Sequence, residues 1–328
     1  TNKVYFRKVP KSGEAIWMSE RDGWNHLYLY DFNQGKLKNQ ITKGNWVVRN
    51  VTRVDEAKRQ IWFQAGGIVS GQDPYYLHLC RVNFDGTGLT ILTEGDGNHT
   101  TAISPDGTCF VDTYSRVDMP PVTNLRSMAN GSLIIALEKS DATSLTATGW
   151  KYPERFSCKA RDGKTDIYGV IVRPTNFDPS KKYPLVVYVY GEPGATTVDD
   201  VYGNQDNFLF NGNMSEEGYI QLAIDNRGTP SLRGAAWRKS IYRRNGQINI
   251  RDMAMGVRKV LEFPYIDKER VAVWGWSGGG SSTLHLMFQF PDLFKTGVAI
   301  APVSNLLYYD NIYTERYMGL PHVVIPYI

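Results

Sequence analysis

The sequence predicts two domains, an all-β domain followed by a doubly wound α/β domain. Its 328 residues exceed what one hydrophobic core of ordinary size usually holds. Up to about Ser140 the chain shows short alternating strands separated by turn residues, whereas continuous apolar runs alternate with helix-compatible segments in the second half. The period changes near residues 148–153, so we expect the first domain at residues 1–152 and the second at residues 153–328.

The composition is that of a globular protein with no special class of partner. Apolar residues make up 42% and charged residues 21%, which excludes a disordered or fibrous chain. The net charge of +4 is mild and no basic cluster is interleaved with aromatics, so we expect no nucleic-acid partner. The three cysteines are too scattered for a disulfide framework or a zinc site, and no apolar run is long enough for a membrane span.

The first half has the texture of β-propeller blades. Residues 14–20 and 26–31 are alternating runs that flank an Asp-Gly turn, which is typical of paired strands. Similar runs are predicted at residues 60–65, 75–82, 99–104 and 108–114. Repeated four-stranded units of this kind favour a propeller, with a β-sandwich as the alternative. Two or three blades cannot close a propeller, so we expect a partial one.

The second half has the element order of an α/β fold. A hairpin is predicted first, and the later strands are continuous apolar runs, as expected where both faces of a sheet are buried. Asn249 is predicted to cap a helix that ends near Phe263. The predicted strands cover residues 155–160, 167–173, 185–190, 219–224, 270–274 and 296–301. This order of strands and helices predicts a doubly wound sheet.

Residues 275–279, Gly-Trp-Ser-Gly-Gly, fit the nucleophile-elbow pattern G-x-S-x-G. In such an elbow a serine lies at a sharp strand-to-helix turn, where strand and helix cross so closely that glycines must flank it. The pattern alone also fits an ordinary Gly-Ser loop. The strand predicted before it and the helix predicted at residues 281–290 favour the elbow, with Ser277 as nucleophile in an α/β-hydrolase core.

Five motifs in order resemble one family. They are Lys181-Lys182-Tyr183-Pro184, Tyr190-Gly191-Glu192-Pro193-Gly194, Asp225-Asn226-Arg227-Gly228, the elbow, and residues 301–321. The chain resembles the prolyl oligopeptidase family of serine peptidases, and most closely its dipeptidyl peptidase IV branch, in which a β-propeller precedes an α/β-hydrolase domain. Residues 41–46 carry the resemblance into the first half, so it covers nearly all of the chain up to about Pro321.

This resemblance implies roles for individual residues. Ser277 would attack the carbonyl after the second residue of a peptide, and the Gly278 N–H with the Tyr190 hydroxyl would hold the oxyanion. The implied walls of the proline pocket are Tyr309, Tyr313, Val303, Leu306 and Trp276. For the tyrosines, which recur at helical spacing, core packing is the alternative.

Two positions depart from the family pattern. Gly278 stands where the family usually carries tyrosine, and Leu306 where it often has tryptophan, which leaves the preference for proline open. Arg227 and Arg244 either bind substrate or pair with carboxylates.

The resemblance also implies an activity and its partners. The substrate would be a peptide with a free N-terminus and with proline or alanine as its second residue. Its N-terminal dipeptide would be released through an acyl-enzyme. No cofactor or metal is required for this chemistry. Export from the cytoplasm and a homodimer of the full-length parent are further expectations from the family.

The catalytic acid and base are expected outside this chain. In α/β-hydrolases they follow the serine in the order Asp, then His, after further strand–helix units of about 30 residues each. Too few residues follow Ser277, and His285, Asp310 and His322 are poor candidates. The early glutamate pair that grips the substrate amine in this family is not recognisable either, so we expect truncation at both ends. Two alternatives stay open: a catalytically silent chain that acts by binding or assembly, and an acylaminoacyl peptidase or esterase.

Overall fold

The computed structural model describes residues 4–203 and 214–320. These residues form two compact units. The first contains residues 4–141 together with Asp200–Tyr202 and Ser231–Ala236, and the second contains the other described residues. The domain boundary expected after residue 152 stays a prediction.

Within the described residues, the first unit contains three antiparallel four-stranded sheets, each ordered as a meander. The first sheet comprises β1 (Phe6–Val9), β2 (Glu14–Ser19), β3 (His26–Asp31) and β4 (Lys36–Gln40). The second comprises β5 (Val47–Asp55), β6 (Gln60–Gly66), β7 (Leu77–Asn83) and β8 (Thr90–Ile91). The third comprises β9 (Asn98–Ile103), β10 (Cys109–Arg116), β11 (Met119–Ser127) and β12 (Leu133–Lys139). This is the topology of propeller blades, which confirms the predicted fold class of the first half.

Neighbouring sheets of the first unit share apolar cores. Ile16 and Leu29 of the first sheet pack in one cluster with Phe63 of the second. Leu79 of the second sheet lies in another cluster with Phe110 of the third. Burial of each such side chain stabilises the fold by about 1.5–3 kcal/mol, so these shared clusters hold the blades face to face.

The second unit is built on one six-stranded sheet with the order β13-β14-β16-β15-β17-β18. Its strands are β13 (Glu154–Lys159), β14 (Asp166–Val172), β15 (Tyr183–Tyr188), β16 (Ile220–Ile224), β17 (Ile266–Trp276) and β18 (Thr296–Ile300). The first two strands form the predicted antiparallel hairpin, and β14 runs antiparallel to β16. The remaining neighbours are parallel, so the predicted α/β sheet is confirmed.

Two helices pack on this sheet and complete its core, α3 (Ile248–Val260) and α4 (Gly278–Gln289). The other helices of the described residues are α1 (Thr143–Thr146), α2 (Gly234–Lys239) and α5 (Asn311–Met318). Met253 of α3 and Leu286 of α4 are fully buried in one cluster with the strands, including Val187 and Val273. None of the helices in the described ranges is both long and apolar enough to cross a bilayer.

The predicted cap of α3 is wrong by two residues. Gln247, not Asn249, occupies the N-cap position, and Asn249 lies inside the first turn. The Asn249 side chain still accepts a hydrogen bond, but from the Gly246 N–H at 3.0 Å, just before the helix. The amide therefore closes the preceding turn instead of satisfying a free N–H group of the helix itself.

Candidate active site

Ser277 lies at the junction of β17 and α4 in a strained conformation. Its φ of 56° and ψ of −116° are uncommon for any residue with a side chain. The Ser277 N–H donates to the carbonyl oxygen of Ile300 at 2.9 Å, and the Ser277 carbonyl accepts from the Ser281 N–H at 3.0 Å. The backbone on both sides of the serine is thus fixed, which projects its side chain from the tip of the turn.

The glycines of the elbow are required by close backbone contacts. A Cβ added at Gly275 or at Gly279 would lie 2.4 Å or 2.3 Å from the carbonyl oxygen of Val189. One added at Gly280 would lie 2.6 Å from the carbonyl oxygen of Ile300. The ends of β15 and β18 therefore press directly on the elbow, and only glycine leaves room for them.

Tyr190 and Gly278, the predicted oxyanion pair, both border the elbow. The carbonyl of Tyr190 accepts from the Ser282 hydroxyl at 2.8 Å, which ties the segment after β15 to α4. Gly278 is the first residue of α4, where an N–H has no acceptor within the helix. Burial, and next the charge of Glu192, raise the pKa of Tyr190, so its phenol stays protonated and able to donate. Their joint role at an oxyanion stays a prediction.

Two of the predicted pocket tyrosines meet on α5 and the turn before it. The rings of Tyr309 and Tyr313 lie perpendicular with centroids 5.4 Å apart, and Tyr317 continues the row 4.8 Å from Tyr313. Tyr309 is 38% exposed, so it does not pack in the core as the alternative supposed. Asp310 caps α5 by accepting from the Tyr313 N–H at 2.8 Å, and its carboxylate is therefore engaged in helix capping.

The other predicted pocket residues are placed by different elements. The main chain of Val303 makes two hydrogen bonds with the Ser281 hydroxyl, at 2.9 Å and 3.0 Å, which holds it against α4. Leu306 begins the short 3-10 helix Leu306–Tyr308 and is half-buried. Trp276 directly precedes the serine and is 49% exposed. Their contribution to a proline pocket stays a prediction.

Glu192 lies between two of the predicted site residues, Tyr313 and Gly278, and its sequence position did not single it out. It is only 6% exposed, and its carboxylate accepts a hydrogen bond from the Tyr313 hydroxyl. Burial raises the pKa of Glu192, while its hydrogen bonds with Tyr313 and Asn245 act in the opposite direction. The pKa of Tyr313 is raised by burial and then by the Glu192 charge. A signal was present in the sequence: a carboxylate in the strand-end motif, combined with glycine in place of a side chain at position 278.

Arg227 pairs with carboxylates, as one of its two interpretations predicted. It binds Asp252 through two nitrogens, at 2.7 Å and 2.8 Å, and reaches Asp162 at 2.8 Å. Asp252 is completely buried, so this pair belongs to the framework behind the site. For Arg244, substrate binding and pairing with a carboxylate both stay open as predictions.

Within the described ranges, no side chain makes a hydrogen bond with the Ser277 hydroxyl. His285 instead lies against Gly246, and its Nδ1 is 3.3 Å from the side-chain nitrogen of Gln289. Burial lowers the pKa of His285, in keeping with its predicted structural role. His322 lies outside the described residues.

Comparisons with known proteins agree with this architecture. A model of the prolyl oligopeptidase family matches residues 208–323, and a model of the dipeptidyl peptidase IV N-terminal region matches residues 2–121. The chain is 30% identical to dipeptidyl peptidase 4 of Trichophyton equinum over 306 residues, covering 92% of this chain and 38% of that protein. It is 32% identical to human dipeptidyl peptidase 8 over 294 residues, covering 86% of this chain and 32% of that protein.

A solved structure is similar to nearly the whole chain. The crystal structure of Porphyromonas gingivalis dipeptidyl peptidase 4 matches with a TM-score of 0.81 at 30% identity, covering 98% of this chain and 45% of that one. The chain therefore spans less than half the length of each of these relatives. Since the two family models match successive parts of the chain, and since the structural match covers nearly all of it, the chain is similar along almost its whole length to the dipeptidyl peptidase IV branch of the prolyl oligopeptidase family.

Proposed function

We propose that this chain carries the nucleophile of a serine exopeptidase of the dipeptidyl peptidase IV type. The observation that carries the proposal is Ser277, held at φ 56° between a strand and a helix by backbone hydrogen bonds on both sides. This is the conformation of a nucleophile elbow, in which strain presents the hydroxyl to substrate. Similarity to the family and the neighbouring tyrosines support peptide as the substrate.

The reaction would proceed through an acyl-enzyme. Ser277 Oγ attacks the carbonyl carbon of the second substrate residue, and the hydroxyl proton passes to a base. The amine of the remaining peptide then leaves after it has accepted a proton. Water then releases the N-terminal dipeptide. The Gly278 N–H and the Tyr190 hydroxyl would donate to the oxyanion, where one preorganised donor contributes about 3 kcal/mol. Tyr309 and Tyr313 offer an aromatic surface to a proline ring, which brings apolar area but no N–H.

The test is peptidase activity of the protein expressed from its natural gene. Wild type should release the dipeptide from a chromogenic Xaa-Pro amide with a free amino group, whereas Ser277→Ala should not. Release at the wild-type rate by Ser277→Ala would refute the proposal. An N-acetylated version of the same amide distinguishes an acylaminoacyl peptidase from a dipeptidyl peptidase. In an acylaminoacyl peptidase the blocked amine would increase turnover, whereas in a dipeptidyl peptidase it would decrease turnover.

The chain as printed can be tested separately with a fluorophosphonate probe. Rapid stoichiometric labelling at Ser277, absent in Ser277→Ala, is expected if the serine is activated. Very slow labelling of the folded chain, combined with activity of the natural gene product, would support the silent alternative for this chain by itself.

A further inference from the structure

Position 278 carries no side chain, and Glu192 occupies the space that one would take. A Cβ built on Gly278 would lie 2.7 Å from Oε2 and 2.8 Å from Cδ of Glu192. Real Cβ atoms do not approach other heavy atoms so closely, so a side chain at position 278 and the present position of Glu192 exclude one another. The contact is with the end of the glutamate side chain, which can move, and not with main chain.

Glu192 is aimed at this space by a well-anchored segment. The carbonyl of the preceding Gly191 accepts from the Asn226 side chain at 3.0 Å, and the carbonyl of Tyr190 accepts from Ser282. Asn226 and Ser282 are both buried. Side chains that start from a segment locked in this way hold one position with little entropy cost on binding.

The carboxylate in turn fixes one of the predicted pocket walls. A buried carboxylate needs hydrogen-bond donors, because its burial without them costs several kcal/mol. Tyr313 supplies one of these donors from its hydroxyl, and the Asn245 amide supplies a second. Since the Tyr313 ring packs against both Tyr309 and Tyr317, Glu192 fixes the middle ring of an aromatic row beside the elbow.

We propose that Glu192 determines the shape and selectivity of the pocket for the second substrate residue. It fills the space that a side chain at position 278 would take, and it locks the ring of Tyr313 by accepting a hydrogen bond from its hydroxyl. This inference rests on the proposed peptidase function. Glu192 is a positioning residue: it acts on substrate through Tyr313, and it contributes to binding of the substrate ring more than to the chemical step.

The experiment is a set of four variants in the protein expressed from its natural gene, assayed with Xaa-Pro and Xaa-Ala chromogenic amides. Glu192→Ala should raise KM for the Xaa-Pro substrate about tenfold with kcat changed less than about threefold, the size of effect expected for contacting residues. Glu192→Gln, which keeps an acceptor for the Tyr313 hydroxyl, should recover most of this loss. The preference for Xaa-Pro over Xaa-Ala should fall in Glu192→Ala.

Coupling with position 278 gives the sharper result. Gly278→Ala should cost about tenfold in kcat/KM when Glu192 is present, because the methyl group displaces the carboxylate. In the Glu192→Ala background the same change should cost less than about twofold, since nothing is left to displace. Additive effects, or a Glu192→Gln variant no better than Glu192→Ala, would overturn the inference.

Failure of the proposed function would look different. In that case wild type would neither cleave the amides nor react with a fluorophosphonate, whereas the same four variants could still be compared by thermal unfolding. A non-additive shift in Tm would then support the contact between Glu192 and Gly278. The inactivity of the wild type would still refute the proposed role of Glu192 in substrate selectivity. An active wild type with additive changes would refute this inference alone.

Discussion

The N–H of Ser277 donates to the carbonyl oxygen of Ile300 over 2.9 Å, which ties the elbow to the end of β18. Ser277 stays at φ 56° in this arrangement, a conformation that costs a residue with a side chain about 1–3 kcal/mol. Its carbonyl is bound as well, by the Ser281 N–H, so a local change of backbone would break hydrogen bonds on both sides. The surrounding sheet and helix therefore maintain the strain.

This strain predicts a difference between two inactive variants. Ser277→Gly should be more stable than Ser277→Ala by about 1 kcal/mol, because glycine adopts a positive φ without a steric cost. Urea denaturation of the two purified variants measures the difference, and neither should react with a fluorophosphonate. Equal stability would mean that the elbow relaxes when the hydroxyl is removed.

Two adjacent glycines should respond very differently to a methyl group. Gly279→Ala should destabilise the second unit by about 3 kcal/mol, because its Cβ would lie 2.3 Å from the backbone oxygen of Val189. Gly278→Ala is the matched control, and it should cost about 1 kcal/mol since Glu192 can swing away. Chemical denaturation followed by tryptophan fluorescence measures both. Similar costs would contradict the distinction between a rigid and a movable neighbour.

The pair of Arg227 and Asp252 should be important for stability. Asp252→Ala should lower the free energy of unfolding by about 3 kcal/mol, because it leaves the guanidinium without its buried partner. Asp162→Asn is a suitable control, since the Asp162 side chain is 32% exposed and a pair at the surface contributes about 0–1 kcal/mol. The amide keeps an oxygen for the N–H groups of Lys164 and Thr165, which donate to Asp162 in the hairpin turn. Urea denaturation checks both values. A greater loss for Asp162→Asn would contradict the ranking by burial.

Stability of the first unit should decrease in mild acid because of His78. Burial lowers the pKa of His78 to about 4, and the charge of the adjacent His99 acts in the same direction. The unfolded histidine binds its proton near pH 6.5, so its contribution to stability is complete above that pH and is lost progressively down to about pH 4.

By pH 5 this loss should amount to about 2 kcal/mol. Urea denaturation at pH 7.5 and pH 5 measures it, with His78→Gln as the control. Glutamine keeps polar groups for Gln72 and Thr93, the hydrogen-bond partners of His78, but does not titrate. The variant should therefore lose less stability between the two pH values, and an unchanged pH dependence would exclude His78 as the cause.

Removal of the Tyr190 hydroxyl should affect turnover more than substrate binding. Tyr190→Phe should lower kcat about 100-fold with KM within about threefold, because the lost donor acts on charge that develops in the transition state. Tyr188→Phe is the control: its ring stacks on Trp274 within the sheet, at 4.4 Å between centroids, and its change should leave kcat within about twofold. Steady-state kinetics on the natural gene product separates the two, and a Tyr190→Phe enzyme with unchanged kcat would remove Tyr190 from the oxyanion site.

Local sequence patterns determined the two halves of the fold and the elbow. Continuous apolar runs located the four parallel strands. In β15 consecutive residues are buried, as expected for a strand covered on both faces, whereas β18 at the end of the sheet is largely exposed. In the first unit, patterns located β2, β3, β6, β7, β9 and β10 but missed β4, β5, β8, β11 and β12. All side chains of β12 are exposed, and a strand with no buried face has no period that could reveal it.

The tertiary structure alone decided which partners the functional side chains have. The sequence left two interpretations of Arg227, and the position of Asp252 beside it selects pairing with a carboxylate. In the sequence Glu192 is one residue of a motif, and only the fold places its side chain in the space left by Gly278. The physical reason is the same in both cases. Periodicity and turn residues report how each segment buries its own surface, whereas contacts at the ends of parallel strands depend on how distant segments pack against one another.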